Sequence, residues 1–338
     1  MRFGTLSVMA AMLMLLCGVA GASAPRRPEP QVRVSGNDYS LLADWARDND
    51  FTIHWLKKDQ ALQLNSHSSK ILLTVDSCEA EVNGVQVRLL FPVLYRNGAV
   101  FLAQLDLDST LRPILSPPGN RPGAPIKSIC LDPGHGGKDP GYQVGSYQEK
   151  RYTLLLAQEL RQQLTRAGFK VMLTRTRDTL VELPERAALA TKRNADMFIS
   201  LHFNASPTSA GTVQGSEVYC LTPAGAPSTN AQGQGGGTGW FPGNRNNEKN
   251  LFLAFELQKS LTQNLGVEDR GVHRARFLVL RDASMPAVLI EGGFMSHPAE
   301  GRKILDPEYR RQMARAIVNG ILNYKRVVDP PLAGAPAR

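Results

Sequence analysis

Between residues 127 and 328, short apolar runs alternate with longer segments whose leucines recur at helical spacing. In the segment Tyr152–Ala167, for example, Leu156, Leu160 and Leu164 recur every four residues and share one face. Strands that alternate with helices are typical of a sheet that is covered on both faces. We therefore predict an α/β fold for this part of the chain, with a mainly parallel sheet and helices on both faces.

The other elements of this unit follow from the same pattern. Strands are predicted at Ser128–Leu131, Phe169–Leu173, Met197–Leu201, Glu217–Leu221, Phe277–Leu280 and Ala287–Ile290. Further helices are predicted at Leu183–Asn194, Asn250–Leu265 and Pro307–Tyr324.

The rest of the chain divides around this unit. Residues 31–115 hold short, often alternating apolar runs separated by Asn-Gly turn signals, which predicts a small, mostly β accessory domain in front of the α/β domain. Residues 116–126 contain four prolines and two glycines and are predicted to be a linker. The Pro/Ala-rich tail, 329–338, is predicted to be disordered.

The first 22 residues have the composition of a secretory signal peptide. Arg2 is followed by an apolar run over 8–19 and by small residues up to Ala22, after which cleavage is predicted. An uncleaved membrane anchor is the alternative, although the run is short for a span of about 20 residues. We therefore predict an exported protein, in the periplasm or outside the cell, without stable membrane insertion.

The formal net charge of the chain is +9. A basic exported protein suits an anionic envelope polymer or a membrane surface. Lysines and arginines are dispersed and form no nucleic-acid motif, so nucleic acid is not expected as a partner. The cysteines after the predicted signal peptide are odd in number, which excludes a fully paired disulfide framework. We expect a monomer.

Three chemically active side chains follow the ends of predicted strands. His135 lies just beyond the first strand, His202 follows "MFISL" directly, and Glu291 follows "AVLI" directly. Ligands of open α/β sheets bind outside the carboxyl ends of the strands, so parallel neighbours would bring the three together. Glu149 stands immediately before a predicted helix and is a second candidate carboxylate.

Two histidines and a carboxylate that converge in this way suggest zinc. A catalytic zinc site has three protein ligands and leaves its fourth position to water. Spacing alone leaves the other reading open, in which each histidine has a structural role.

Several ordered blocks of sequence resemble the catalytic domain of zinc-dependent N-acetylmuramoyl-L-alanine amidases. They are "LDPGHGGKDPG", "QEK" at 148–150, "TRTRD" at 174–178, "RAALATKRNADMFISLHFNA" at 186–205 and "MPAVLIEGGFMSHPAE" at 285–300. The resemblance covers roughly 127–325. It implies that His135, Glu149 and His202 bind zinc and that Glu291 is the catalytic carboxylate.

The same resemblance implies the reaction. Water activated by zinc, with a glutamate as general base, would cleave the amide bond between N-acetylmuramic acid and L-alanine in peptidoglycan. The alternatives are a non-catalytic peptidoglycan-binding protein and another zinc peptidase of the envelope.

The run "EAEVNGVQVRLLFPVLYRNGAVFLAQLDL" at 79–107 resembles the N-terminal-like domain of copper amine oxidases, which is often appended to exported bacterial enzymes. No histidine cluster in this part of the sequence supports copper binding. We expect the partner of this domain to be the cell wall or another protein.

Overall fold

The computed structural model describes residues 31–121, 124–229 and 239–329. The predicted signal peptide, 1–22, and residues 330–338 of the predicted tail lie outside the described residues. No helix in the described ranges combines the length and the apolar character that crossing a membrane requires.

Strands and short helices dominate the first part of the chain, and longer helices the second. The strands are β1 (Gln31–Val34), β2 (Asn37–Leu41), β3 (Thr52–Lys57), β4 (Ala61–Asn65), β5 (Lys70–Thr74), β6 (Glu79–Val82), β7 (Val85–Arg88), β8 (Leu94–Arg96), β9 (Ala99–Ala103), β10 (Ser128–Pro133), β11 (Gln143–Val144), β12 (Tyr147–Gln148), β13 (Lys170–Leu173), β14 (Met197–Asn204), β15 (Ser216–Leu221), β16 (Asp269–Ala275) and β17 (Ala287–Phe294). The helices are α1 (Leu42–Asp48), α2 (Gln104–Asp106), α3 (Arg112–Leu115), α4 (Glu149–Arg166), α5 (Leu183–Lys192), α6 (Asn247–Leu265), α7 (Leu278–Arg281), α8 (Pro298–Leu305) and α9 (Pro307–Val328).

One long sheet organises the molecule. Its eleven strands follow the order β13-β10-β14-β17-β15-β16-β7-β6-β5-β4-β3. A four-stranded sheet, β1-β2-β9-β8, and the β11-β12 hairpin accompany it. The long sheet therefore runs from the predicted α/β domain into the predicted accessory domain.

The expectation of a mainly parallel sheet is wrong. The described strands form nine antiparallel pairs and five parallel ones. Strands β13, β10, β14 and β17 are parallel neighbours, but β15 runs antiparallel to β17. Parallel neighbours need a long crossover, usually a helix. The segment from β14 to β15 contains only a 3₁₀ turn at Pro207–Ser209, and the chain reverses direction there.

Helices pack on both faces of the sheet at its α/β end. Alternate residues of β10 point to opposite sides: Ile129 and Leu131 lie in the core with α4, α6 and α9, whereas Cys130 packs with residues of α5 and α7. Burial on both faces explains why these strands are continuous apolar runs in the sequence.

The two parts of the chain meet at β16 and β7, which pair in parallel through Val272 and Val87. The Asp269 carboxylate accepts a hydrogen bond from the backbone N–H of Gln86 at 2.8 Å. Arg274, 1% exposed, donates to the carbonyl oxygen of Ser109 at 2.6 Å. Backbone and side chains therefore both connect the two parts.

Two local predictions differ from the structure. The predicted strand Phe277–Leu280 is largely the single helical turn α7, and β16 was not predicted. A run of four apolar residues cannot distinguish a strand from a buried helical turn.

The predicted linker and tail contact each other. The Asp329 carboxylate accepts hydrogen bonds from the side chain of Asn120 and from the backbone N–H of Ile126.

Candidate metal centre and adjoining carboxylate

His135, Glu149 and His202 form one cluster. The Oε1 atom of Glu149 lies 3.0 Å from Nε2 of His135 and 3.1 Å from Nδ1 of His202, and the two ring nitrogens are 3.2 Å apart. All three residues offer ligand atoms within 4.8 Å of one another, so the group could hold a metal ion.

The spacing suits zinc. Two ligands of a tetrahedral zinc ion with bonds of about 2.0–2.1 Å are about 3.3–3.4 Å apart, close to the separations in this cluster. Two imidazole nitrogens and one carboxylate oxygen are also a donor set that catalytic zinc sites use.

Each ligand candidate is placed by the end of a secondary-structure element. His202 lies near the end of β14, and His135 lies in the loop after β10 with a positive φ of 62°. Glu149, expected immediately before a helix, is the first residue of α4. Strand ends and a helix start therefore converge at one point, as the sequence predicted for the two histidines.

Glycines allow this close approach. A Cβ atom on Gly134 would lie 2.3 Å from the ring of His202. One on Gly141 would lie 2.6 Å from both Glu149 Oε2 and the ring of His135. Since real Cβ atoms do not approach so closely, a side chain at either position would displace the cluster.

Backbone amides fix the Glu149 carboxylate. The N–H of Phe203 donates to Oε1 at 3.1 Å, and the N–H of Tyr142 donates to Oε2 at 2.9 Å. Burial alone would raise the pKa of Glu149, but hydrogen bonds from His135 and His202 outweigh it and hold this pKa well below the usual range. The carboxylate is therefore kept ionised.

Asp139 orients His135 from the other side of its ring. The Nδ1–H of His135 donates to Asp139 Oδ2 at 2.8 Å, which leaves Nε2 facing Glu149 and His202. Burial opposes protonation of His135, but hydrogen bonds to Glu149 and Asp139 outweigh it and raise the pKa. Metal-binding histidines commonly donate their second N–H to such a carboxylate.

Two buried arginines hold the loop that carries His135. Arg186 pairs with Asp132 at 2.9 Å, and their side chains are 2% and 0% exposed. Arg186 also donates to the carbonyl oxygen of His135 at 3.0 Å, and Arg175 donates to that of Gly134 at 2.8 Å. The guanidinium groups satisfy carbonyls that the turn leaves without strand partners.

Glu291 faces this cluster from β17. It lies opposite His202 in the parallel pair with β14 and opposite Glu217 in the antiparallel pair with β15. Its Oε2 atom is buried and has no hydrogen-bond partner among the described residues. Burial, reinforced by Glu149 and Glu217, raises the pKa of Glu291 well above its usual range.

Glu217, in contrast, is well satisfied. Its Oε1 accepts a hydrogen bond from the side-chain amide of Asn204 at 2.6 Å, and its Oε2 accepts one from the Tyr219 hydroxyl at 3.1 Å. Arg270 Nε lies 3.6 Å away and His273 Nε2 lies 3.4 Å away. This buried carboxylate therefore fixes the positions of the side chains that lie beside Glu291.

The four residues predicted from the sequence line one cleft of about 340 Å³. Phe277, Leu278 and Val279 form an apolar side of it. Asp139, Glu217, Arg175 and Arg186 were not predicted as part of the site. Asp139 stands in the glycine-rich block beside His135, which could have indicated it, but nothing local marks Glu217 within its strand.

The fold and the site define a mixed α/β protein whose sheet edge carries a candidate metal centre, with the half-buried carboxylate of Glu291 next to it. This is the arrangement of metal-dependent hydrolases, in which three ligands leave one position open.

Comparison with known proteins specifies the family. Residues 129–323 match the family Amidase_3, N-acetylmuramoyl-L-alanine amidase. The chain therefore belongs to the N-acetylmuramoyl-L-alanine amidase family.

Three relatives illustrate the extent of the likeness. N-acetylmuramoyl-L-alanine amidase AmiC of Neisseria meningitidis is 35% identical over 246 residues, which are 66% of this chain and 57% of that protein. N-acetylmuramoyl-L-alanine amidase LytC of Bacillus subtilis is 32% identical over 59% of this chain and 36% of its own length. The crystal structure of an N-acetylmuramoyl-L-alanine amidase from Clostridium difficile 630 matches with a TM-score of 0.50 and 31% identity, over 62% of this chain and all of that one. The chain thus spans 57% or less of these two curated relatives.

Proposed function

We propose that this protein is a zinc-dependent N-acetylmuramoyl-L-alanine amidase that hydrolyses the amide bond between N-acetylmuramic acid and L-alanine in peptidoglycan. The observation that carries the proposal is the His135-Glu149-His202 cluster with Glu291 beside it in one cleft. Family membership supports the reaction, because the matched segment includes all four residues.

His135, Glu149 and His202 are the residues that would hold zinc. When bound, zinc polarises the amide carbonyl and lowers the pKa of a coordinated water to about 7. The ionised Glu149 would contribute the negative charge of the ligand set, and Asp139, which accepts from Nδ1–H of His135, would leave Nε2 of that ring to zinc.

Glu291 is proposed as the general base and acid. It would accept the proton of the attacking water and then deliver it to the departing nitrogen of L-alanine. A carboxylate with no internal hydrogen-bond partner is available for this transfer, and its raised pKa favours holding the proton between the two events.

The setting of the reaction is the cell envelope. The predicted signal peptide at 1–22 would export the protein to the periplasm or beyond the cell, and the net charge of +9 suits an anionic polymer. We propose residues 127–328 as the amidase domain, joined by the 116–126 linker to an accessory domain, 31–115, that contacts the wall or a protein partner.

The test is digestion of isolated peptidoglycan by the purified protein, with soluble products identified by mass spectrometry. We expect free peptides that begin with L-alanine. These should disappear after chelation, return when zinc is added, and be absent with Glu291→Gln.

Other products would redirect the assignment. Fragments cut inside the peptide would identify a peptidase of the envelope. Tight binding to peptidoglycan without any product, from protein that contains zinc, would favour a non-catalytic wall-binding role.

A further inference from the structure

A second cleft lies where β16 meets β7, the junction between the two parts of the chain. It encloses about 330 Å³ and is lined by Glu79, Gln86, Val87, Arg88, Glu268, Asp269, Arg270, Gly271 and His273. Both parts of the chain contribute residues, so the cleft exists only while β16 and β7 are paired.

This junction cleft and the cleft of the metal centre open on the same face of the sheet. Val85 and Val87 of β7 point into the core with α6, so Gln86 and Arg88 point to the opposite face. His273 stacks on Tyr219 with ring centroids 5.2 Å apart, and Tyr219 belongs to the core on the α7 side, next to the metal cleft.

Glu217 connects the two clefts. Its carboxylate binds the side chain of Asn204, which lines the metal cleft. The same carboxylate lies 3.6 Å from Arg270 Nε and 3.4 Å from His273 Nε2, and both of these residues line the junction cleft. One buried side chain therefore contacts residues of both clefts, which are neighbours along the sheet.

The separation suits a short peptide. Neighbouring strands lie about 4.8 Å apart, so two strand spacings take the chain from Glu291 on β17 to β16 in about 10 Å, and a third reaches β7 in about 15 Å. An extended peptide advances about 3.3–3.6 Å per residue. Three residues beyond the scissile amide would therefore reach β16 and Arg270, and four would come within about 2 Å of β7, a gap that the long side chain of Arg88 can span.

The charges of the junction cleft are mixed. Arg88 and Arg270 present guanidinium groups, which bind carboxylates through paired hydrogen bonds. Arg88 donates to Glu79 Oε1 at 3.3 Å, and the two side chains of this pair are 41% and 70% exposed, so a ligand would have to exchange with an exposed ion pair. Arg270 is held over the ring of Phe294 at 5.1 Å, and its side chain stays 31% exposed. Glu79 and Glu268 offer the opposite charge, whereas Asp269 is occupied by backbone N–H groups and by Gln258.

We propose that the junction cleft is a subsite for the far end of the stem peptide, a zwitterionic peptide of about four residues that carries free carboxylates and a free amino group. Arg88 and Arg270 bind its carboxylates, and Glu79 and Glu268 face its amino group. This inference rests on the proposed amidase function, since that function places the peptide in the metal cleft.

The kinetic test compares two soluble muropeptides, one with a two-residue stem and one with a four-residue stem. The measured quantity is the ratio of kcat/KM for the long stem to that for the short stem. Arg88→Ala should lower this ratio about tenfold, through KM, because a charge-assisted hydrogen bond to the long stem is lost. Arg47→Ala is the matched control, because Arg47 is also an exposed arginine paired with an acidic residue, Asp44, but lies outside the cleft. The ratio of kcat/KM for the long stem to that for the short stem should be the same in Arg47→Ala as in the wild type.

Binding provides a readout that does not depend on hydrolysis. The free four-residue stem peptide and the same peptide with amidated carboxyl groups are titrated calorimetrically into wild type, Arg88→Ala and Arg47→Ala proteins. The inference expects the free peptide to bind about tenfold more weakly to Arg88→Ala, and the amidated peptide to bind weakly to all three.

The results separate this inference from the proposed function. Binding that depends on Arg88 but occurs without any hydrolysis would support the subsite while removing the amidase proposal. Normal hydrolysis with an unchanged ratio and unchanged binding in Arg88→Ala would overturn the subsite and leave the amidase proposal intact.

Discussion

Glu149 and Glu291 are two carboxylates at the same edge of the sheet, yet their surroundings are opposite. Glu149 accepts hydrogen bonds from two histidines and two backbone N–H groups, whereas Glu291 Oε2 has no partner among the described residues. The pKa of Glu149 is lowered and that of Glu291 is raised. Environment, more than residue type, separates a metal-ligand candidate from a proton-transfer candidate.

The position of each residue explains the difference. Glu149 opens α4, and its carboxylate lies where the backbone N–H of Phe203 on β14 and that of Tyr142 in the loop before β11 both donate to it. Glu291 lies inside β17, whose backbone groups pair with β14 and β15, and its neighbour across β15 is another carboxylate, Glu217. Backbone donors from neighbouring segments reach Glu149, whereas none reaches Glu291 Oε2 among the described residues.

The strongest test of this contrast replaces each carboxylate by its amide. Glu149→Gln should lose bound zinc and activity together, because the charged ligand is gone. Glu291→Gln should keep zinc while kcat falls about 10²–10⁴-fold, the usual contribution of general acid–base catalysis. Metal content by mass spectrometry, measured beside turnover, distinguishes the two variants.

Glu308→Gln serves as the control, because Glu308 is exposed on α9, where it pairs with Arg311. Loss of zinc from Glu291→Gln, or retention of zinc by Glu149→Gln, would contradict the different roles assigned to the two carboxylates.

Breaking the buried ion pair under the His135 loop should have the next largest effect. Arg186→Met leaves Asp132 buried without its cation, and such a change costs about 3–5 kcal/mol of unfolding free energy. Urea denaturation would measure this loss, beside Arg33→Met at an exposed ion pair, which should change stability by less than about 0.5 kcal/mol. Equal stability of the two variants would show that the pair does not support the loop.

Asp139→Asn should weaken zinc binding without altering the role of Glu291. Loss of the carboxylate behind His135 should lower zinc affinity about 10–100-fold, while kcat at saturating zinc changes little. Competition with a chromogenic chelator gives the affinity, and Asp38→Asn, at an exposed position, is the control. A large fall in kcat at saturating zinc would instead place Asp139 in the reaction itself.

The smallest effect concerns Glu256 on α6, where burial also raises the pKa of a carboxyl group. The folded state then binds this proton more tightly than the unfolded chain, so stability falls as pH rises through the raised pKa. Glu256→Gln should raise the melting temperature by about 1–2 °C near pH 7, and the gain should vanish by about pH 4. Calorimetry across this pH range checks the sign, and a gain that persisted at low pH would exclude ionisation as its cause.

The sequence predicted those parts of the site that local pattern controls. The apolar runs before His202 and Glu291 correctly indicated strands, but β14 continues to Asn204 and β17 to Phe294, so Glu291 lies inside its strand and not at its end. The helix that follows Glu149 indicated a rigid start. Asp139 was missed although it stands four residues after His135. Glu217 and the buried arginines escaped prediction because their partners are reached only when other segments pack against them. The Glu217–Asn204 bond, for example, depends on β15 lying beside β17.

By itself, the sequence determined which segments form strands and helices across most of 127–328, and it brought His135 and His202 to strand ends, because hydrophobic periodicity and turn residues act locally. Only the tertiary structure decided that β15 runs antiparallel to β17, that β16 pairs with β7, and that Glu149 and Glu291 have opposite surroundings. Strand order and direction depend on pairing between residues far apart in the chain, and so does the solvation of a buried carboxylate.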